Sequence, residues 1–286
     1  PPRSTKSLIL MKNFILFLAV LLTIPMSCKR TTDEPKKETV RQDSVASADT
    51  VVPADTTSAL PPKVADELFD DFIYSFMKSK RFQLSRISFL LPFYSHEQSR
   101  VLSAREWKFD PLFSKQETYT VIYHSEKEMK AEKDTGVSEA TFEWIYLSKK
   151  KTKQYFFRRI HGTWMLTGIR EGDLQQHEDR DFYEFYRKFA TSTTFQLNHV
   201  KDPLRFKTYD DNSFSQIEGV LDRQQWQDFR PDLPKHTITN IVYGSTSKGV
   251  SHGKRIFTVC SASGGMGCIL SFAPYRNSWM LEGLEN

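Results

Sequence analysis

The stretch Trp164-Met165-Leu166-Thr167-Gly168-Ile169 recurs in kind at the end of the chain, as Trp279-Met280-Leu281-Glu282-Gly283-Leu284. Side chains alternate between the two faces of a strand. Trp, Leu and Gly therefore share one face of each stretch, and Met, the polar residue and the last aliphatic share the other. The likeness extends backwards in step. Phe157 matches Phe272 and Trp164 matches Trp279 at a separation of 115 (279 − 164). Val121-Ile122-Tyr123 matches Ile241-Val242-Tyr243 at 120 (241 − 121), and Val101-Leu102 and Trp107 match Val220-Leu221 and Trp226 at 119 (226 − 107). Phe69, Phe72, Phe76 and Phe82-Gln83-Leu84 match Phe182, Phe185, Phe189 and Phe195-Gln196-Leu197 at 113 (182 − 69). Aromatics kept in order over so long a period mark a duplicated domain rather than a solenoid unit.

The duplicated part is preceded by two stretches of different character. Residues 1–10 stand before Met11, the expected true start. Lys12, the apolar run 14–24 and Ser27-Cys28 then have the charge, length and small-residue ending of a secretory signal. The run is too short for a transmembrane helix, which needs about 20 apolar residues. Cys28 stands where bacterial lipoproteins carry their acylated cysteine, although Pro25 replaces the usual Leu three residues earlier. Residues 28–63 lack any aromatic and are rich in Thr, Asp, Glu, Pro, Lys and Ser. Such a segment cannot bury enough apolar surface to offset its ordering entropy, and reads as a disordered tether.

Charge excludes one class of partner. The chain holds 40 Lys and Arg against 35 Asp and Glu, but residues 1–27 carry Arg3, Lys6 and Lys12 and no acid. The remainder has 37 (40 − 3) against 35, which makes no case for nucleic acid. The runs 78–81 and 149–153 are expected to be solvated, the second as a hairpin tip.

Helical spacing of Leu68, Phe69, Phe72, Ile73 and Phe76 predicts a helix over 65–80, and Val101, Leu102 and Trp107 suggest another over 96–107. Strand patterns cover 118–124, 141–147, 154–160 and 163–169, with His161-Gly162 as the last tight turn. The second copy repeats the scheme, with helices near 181–191 and 214–226 and strands near 237–243, 255–261, 268–273 and 278–284. Two domains are thus expected, 64–171 and 179–286, joined by a short polar linker. Helices followed by antiparallel strands indicate an α+β class.

That order, with a Trp on the closing strand, resembles the nuclear-transport-factor-2-like fold, in which N-terminal helices pack on a curved antiparallel sheet to make a cone. Signal, tether and tandem domains bearing Phe-Gln-Leu and Trp-Met-Leu-x-Gly resemble a family of uncharacterised lipoproteins from gut bacteria. The resemblance implies two tandem cone-like domains on an exported, lipid-anchored protein facing the periplasm or cell surface. Enzymes of the cone fold, such as ketosteroid isomerase, act through an acid or Tyr inside the pocket. Tyr123, Tyr243 and Glu143 are the residues of that type on strands here.

Chemistry is otherwise sparse. Tyr123 and Tyr243 occupy matching positions, and Gln83 and Gln196 are a shared polar residue inside an apolar run; these four are the candidate ligand contacts. The competing account of each Gln is a buried amide that satisfies backbone groups. Cys260 and Cys268 flank a Gly-rich turn and could form a disulfide if the hairpin is centred on Gly264; otherwise they are small buried thiols. No cofactor or metal site is expected, because neither Cys-x-x-Cys nor paired His at ligand spacing is present. His124, His161, His199 and His236 fall into no catalytic constellation. The sequence therefore leads to a binding or structural role at the cell envelope for an unknown small molecule or protein. The alternatives are a hydrolase or isomerase using one cone, and a docking or dimerisation module.

Overall fold

The computed structural model describes residues 63–96, 98–210, 212–213, 215–244, 253–262 and 267–286, all within the compact unit Ser58–Asn286. Met11, Cys28, the tether up to residue 62 and most of the Gly-rich turn lie outside these residues.

The first copy opens with helix α1 (Phe69–Lys78), preceded by a 3-10 turn at Lys63–Asp66. Asp70 and Asp71 suit the positive end of the α1 dipole, while Phe69, Phe72, Ile73, Phe76 and Met77 form its buried face. Helix α1 ends close to the expected boundary, and a second helix not foreseen there, α2 (Lys80–Ser85), follows at once, capped by Ser79, whose Oγ accepts from the Phe82 N–H at 3.2 Å. The second copy repeats this arrangement. Helix α4 (Arg180–Thr191) buries Phe182, Phe185 and Phe189, and Ser192 caps α5 (Thr193–Asn198) in the same way. Two short helices, α3 (Glu126–Met129) and α6 (Trp226–Phe229), complete the set.

Two expected helices are absent. The 96–107 segment holds strand β2 (Ser99–Leu102), antiparallel to β1 (Leu91–Tyr94), and the 214–226 segment holds β8 (Gln216–Leu221), antiparallel to β7 (Val200–Tyr209). Val101 and Val220, which suggested a helical apolar face, are 54% and 62% exposed on these edge strands. Their spacing therefore did not mark a buried side.

The remaining strands are β3 (Thr118–Tyr123), β4 (Glu139–Tyr146), β5 (Lys151–Ile160), β6 (Thr163–Asp173), β9 (Thr237–Tyr243), β10 (Arg255–Ser261), β11 (Cys268–Tyr275) and β12 (Ser278–Glu285). They form two six-stranded sheets, ordered β2-β1-β6-β5-β4-β9 and β8-β7-β12-β11-β10-β3. Position by position the two orders are equivalent, except that β3 and β9 have changed places. Each half of the sequence lends its third strand to the other half's sheet. The exchanged strands feed both cores: on β3, Ile122 packs in the second core and Val121 and Tyr123 in the first, and on β9, Ile238 packs in the second core and Ile241 in the first. The cones exist, but neither 64–171 nor 179–286 owns a complete sheet, as the sequence division assumed. Nor is the expected linker free, since Leu174 is buried in the second core and its N–H donates to Lys150 O at 2.9 Å.

The repeated closing motif contains a bulge. Phe157 stands opposite Leu166 but Phe156 opposite Gly168, and likewise Phe272 opposite Leu281 but Ser271 opposite Gly283. Thr167 and Glu282 are the extra residues, and each resets the alternation. Trp164 and Leu166 face the core as expected, and Ile169 joins them instead of lying on the opposite face. Trp279, Leu281 and Leu284 repeat this pattern.

Candidate functional site

The first cone carries an open cleft of about 880 Å³ between the β1–β2 hairpin with its following loop and the β4–β5 hairpin. Leu102, Trp107, Asp110, Tyr146, Tyr155 and Ile169 lie along it. One polar contact joins β5 to the 103–111 loop: Tyr155 donates its hydroxyl hydrogen bond to Asp110 Oδ2, and the Leu112 N–H donates to Oδ1 at 3.0 Å. Burial, with Asp110 beside it, pushes the Tyr155 hydroxyl well above the usual tyrosine range. Burial also raises Tyr146, with the charges of Asp110 and Glu171 adding to it. Both are thus held as neutral hydrogen-bonding groups rather than proton acceptors.

Gln83 stands behind this cleft and does not line it. Its Nε2 donates to Phe76 O (3.1 Å) and Asp110 O (2.8 Å), and its Oε1 accepts from Trp107 Nε1 (2.9 Å) and Asp110 N (2.9 Å). One buried amide, with both donors and both acceptor sites engaged, thus fastens the cleft loop to helix α1. Gln196 plays the corresponding part, donating to Phe189 O at 2.7 Å and accepting from Trp226 Nε1 at 3.3 Å and Arg230 Nη1 at 3.2 Å.

Tyr123 and Tyr243 do converge, from the two exchanged strands. Tyr243 donates to Asp70 Oδ1 at 2.6 Å and Tyr123 to Glu132 Oε2 at 3.0 Å, around a cavity of about 20 Å³. That volume accommodates a water and no larger ligand. Burial raises Asp70 to about 7, and the neighbouring Glu132 carboxyl works in the same direction against the Tyr243 hydrogen bond.

Glu143 lies outside both cavities, fully buried. Its oxygens accept from Gln154 Nε2 (2.6 Å) and Asn240 Nδ2 (3.1 Å) and face His177 Nε2 at 3.3 Å. Burial favours its neutral form, but His177, Gln154 and Asn240 outweigh that and lower it. Next to it, Asp179 Oδ1 accepts from Arg255 at 2.6 Å and Oδ2 faces His124 Nε2 at 3.0 Å. Against the effect of burial, His124 and Arg255 bring Asp179 down to about 2. These groups bind β4, β9, β10 and the connecting segment together, and they line neither of the two cavities above.

Cys260 and Cys268 are free. Cys268 stands opposite Val259 in the ladder while Cys260 stands opposite Tyr119, so a shift of one residue sends the thiols to opposite faces and forbids the disulfide. Sequence reasoning overlooked Asp110, Tyr146, Tyr155 and Trp107 as cleft residues. The signal available was the difference between copies: Phe229 (110 + 119) stands for Asp110, and Leu270 (155 + 115) for Tyr155.

A cone of helices against a sheet, with a cleft at one end, defines the NTF2-like class. The crystal structure of an NTF2-like protein from Bacteroides fragilis NCTC 9343 is similar to this chain, with 37% identity and a TM-score of 0.70, covering 77% of this chain and 96% of that one. The chain belongs to the family of the domain of unknown function DUF4348, which matches residues 48–286. Among curated proteins none matches.

Proposed function

We propose that the protein is exported, is anchored to a membrane through acylated Cys28, and binds a small molecule in the cleft of its first cone. The observation that carries the binding role is the cleft itself. Its volume of about 880 Å³ falls within the roughly 300–1,000 Å³ of ligand sites, and it combines an apolar floor with a few fixed polar groups. In the second copy the exposed Phe229 stands where the first has Asp110, and it pairs with Phe206 at 5.4 Å. The signal-like N-terminus and the Ser27-Cys28 junction support the anchor.

Glu171 stands opposite Lys153 on the cleft face of the sheet, with its side chain 45% exposed. Glu171→Trp should therefore fill the cleft without disrupting the sheet. Compounds from a metabolite panel that raise the melting temperature of the wild-type protein should fail to raise that of this variant. Equal shifts in both would place binding elsewhere. For the anchor, Cys28→Ser should move the protein from the membrane to the soluble fraction, and unchanged partitioning would refute it.

A further inference from the structure

Resting on the cleft reading, we infer that the ligand is an organic anion with a flat apolar body, its charge held at the rim and its body laid on the floor. Arg100 and Lys108 border one side of the cleft and Lys149, Lys151 and Lys153 the other, against three carboxylates, Glu106, Asp110 and Glu171. All three carboxylates are already engaged by the chain. Glu106 Oε2 accepts from Ser103 N at 2.8 Å and Ser103 Oγ at 2.7 Å, Asp110 from Tyr155 and Leu112, and Glu171 pairs with Lys153 at 3.5 Å.

The cations are less fully matched. Lys151 is held by Asp173 at 2.6 Å, but among the described residues neither Lys108 nor Lys149 forms an ion pair. Several cationic heads lie along aromatic faces: Lys149 is 5.8 Å from the Tyr146 ring, Arg100 5.1 Å from Phe93 and Lys153 5.3 Å from Tyr155. Charge and flat apolar surface therefore alternate along the cleft, a pattern that a single molecule with an anionic group on a ring would satisfy at once. A cation would meet the lysines and find no free carboxylate. A neutral molecule would leave the positive heads crowded around it. The second copy lacks the pattern in sequence, with Met266 (151 + 115) and Cys268 (153 + 115) at the corresponding places.

The test uses two dyes of similar shape and different charge. 1-Anilinonaphthalene-8-sulfonate is anionic and N-phenyl-1-naphthylamine is neutral, and both fluoresce when they leave water. Each is titrated into the wild-type protein, the double variant Lys108→Gln/Lys149→Gln, and Glu171→Trp, with melting curves to establish that all three are folded. The sulfonate should bind the wild-type protein and lose about tenfold in affinity in the double variant, the order expected when two charge contacts of moderate strength are removed. The neutral dye should be indifferent to the lysines, and Glu171→Trp should abolish binding of both; losing a carboxylate cannot by itself weaken an anion, so a loss of sulfonate reports the filled cleft. If the lysine changes leave sulfonate affinity unaltered while Glu171→Trp still abolishes it, the anion class is overturned and the cleft reading stands. If Glu171→Trp leaves sulfonate binding unaltered, or if neither dye binds the wild-type protein, the cleft reading falls and the ligand class with it.

Discussion

Thr120 and Thr239 exchange four hydrogen bonds across the boundary between the two sheets. The N–H of Thr120 donates to Thr239 Oγ1 at 2.7 Å, and the N–H of Thr239 to Thr120 Oγ1 at 2.9 Å. Each hydroxyl in turn donates to the other residue's carbonyl, at 2.5 and 2.9 Å. Ile122 N continues the seam by donating to Asn240 Oδ1 at 2.9 Å. Thr120 lies on β3 and Thr239 on β9, the outermost strands of their sheets. Side chains here supply the partners that a neighbouring strand would otherwise provide, so the edges that meet at this seam are sealed without forming one continuous sheet.

Replacing Thr239 by Val keeps the shape but leaves the buried N–H and carbonyl of Thr120 without partners. The expected cost is roughly 2–6 kcal/mol, from about 1–3 kcal/mol for each of the two stranded groups. Urea unfolding should show this as one earlier transition for the whole body. A loss under 1 kcal/mol would mean that water takes over the seam.

Strand exchange predicts how the halves behave. Residues 64–171 expressed alone should lack the strand that completes their sheet, and residues 179–286 likewise. Each should show weak near-ultraviolet circular dichroism, and mixing should restore the native spectrum and a one-to-one complex. Two halves that are separately native, with spectra summing to that of the intact protein, would contradict the exchange.

Asp70 makes stability depend on pH in a stated direction. Its carboxyl is raised from 3.8 to about 7, mainly by burial and by the adjacent Glu132. A folded-state value above the unfolded one gives stability that is whole below about pH 4 and is lost progressively as pH rises towards 7. Asp70→Asn keeps an acceptor for Tyr243 and removes the titration. Its stability relative to wild type should grow by roughly 2–4 kcal/mol between pH 4 and pH 8. Parallel stability profiles for the two proteins would refute the assignment.

Gln83→Leu should strand Trp107 Nε1, the Asp110 backbone and Phe76 O together. A loss of at least about 3 kcal/mol is expected, by the same accounting of unsatisfied groups. A loss below 1 kcal/mol would show that the amide does not fasten the cleft loop.

Much of this architecture was legible because packing leaves a periodic trace. The Phe spacing of α1 and α4 and the paired tryptophans reported real buried faces, and β3 to β6 and β9 to β12 fell near their expected places, whereas the ten-residue β7 (Val200–Tyr209) was not foreseen. What escaped were features that packing periodicity does not encode. Edge strands β2 and β8 show solvent an apolar residue and so resemble half a helix. The bulges at Thr167 and Glu282 are single residues with no composition of their own. Pairing partners are also invisible locally, since β3 carries the same alternation whichever sheet receives it. The cleft escaped for a related reason: attention to what the copies share passed over Asp110 and Tyr155, which only one copy has.

The exchange also bears on dilution. In two separate chains of this topology, the borrowed strand would be secured only as tightly as the chains associate, and would be released as concentration fell. The connection through Leu174 places the partner permanently within reach, so pairing becomes an intramolecular event with a fixed effective concentration. A protein held at low abundance keeps both sheets closed. The second cone then serves the first as a built-in partner that dilution cannot remove.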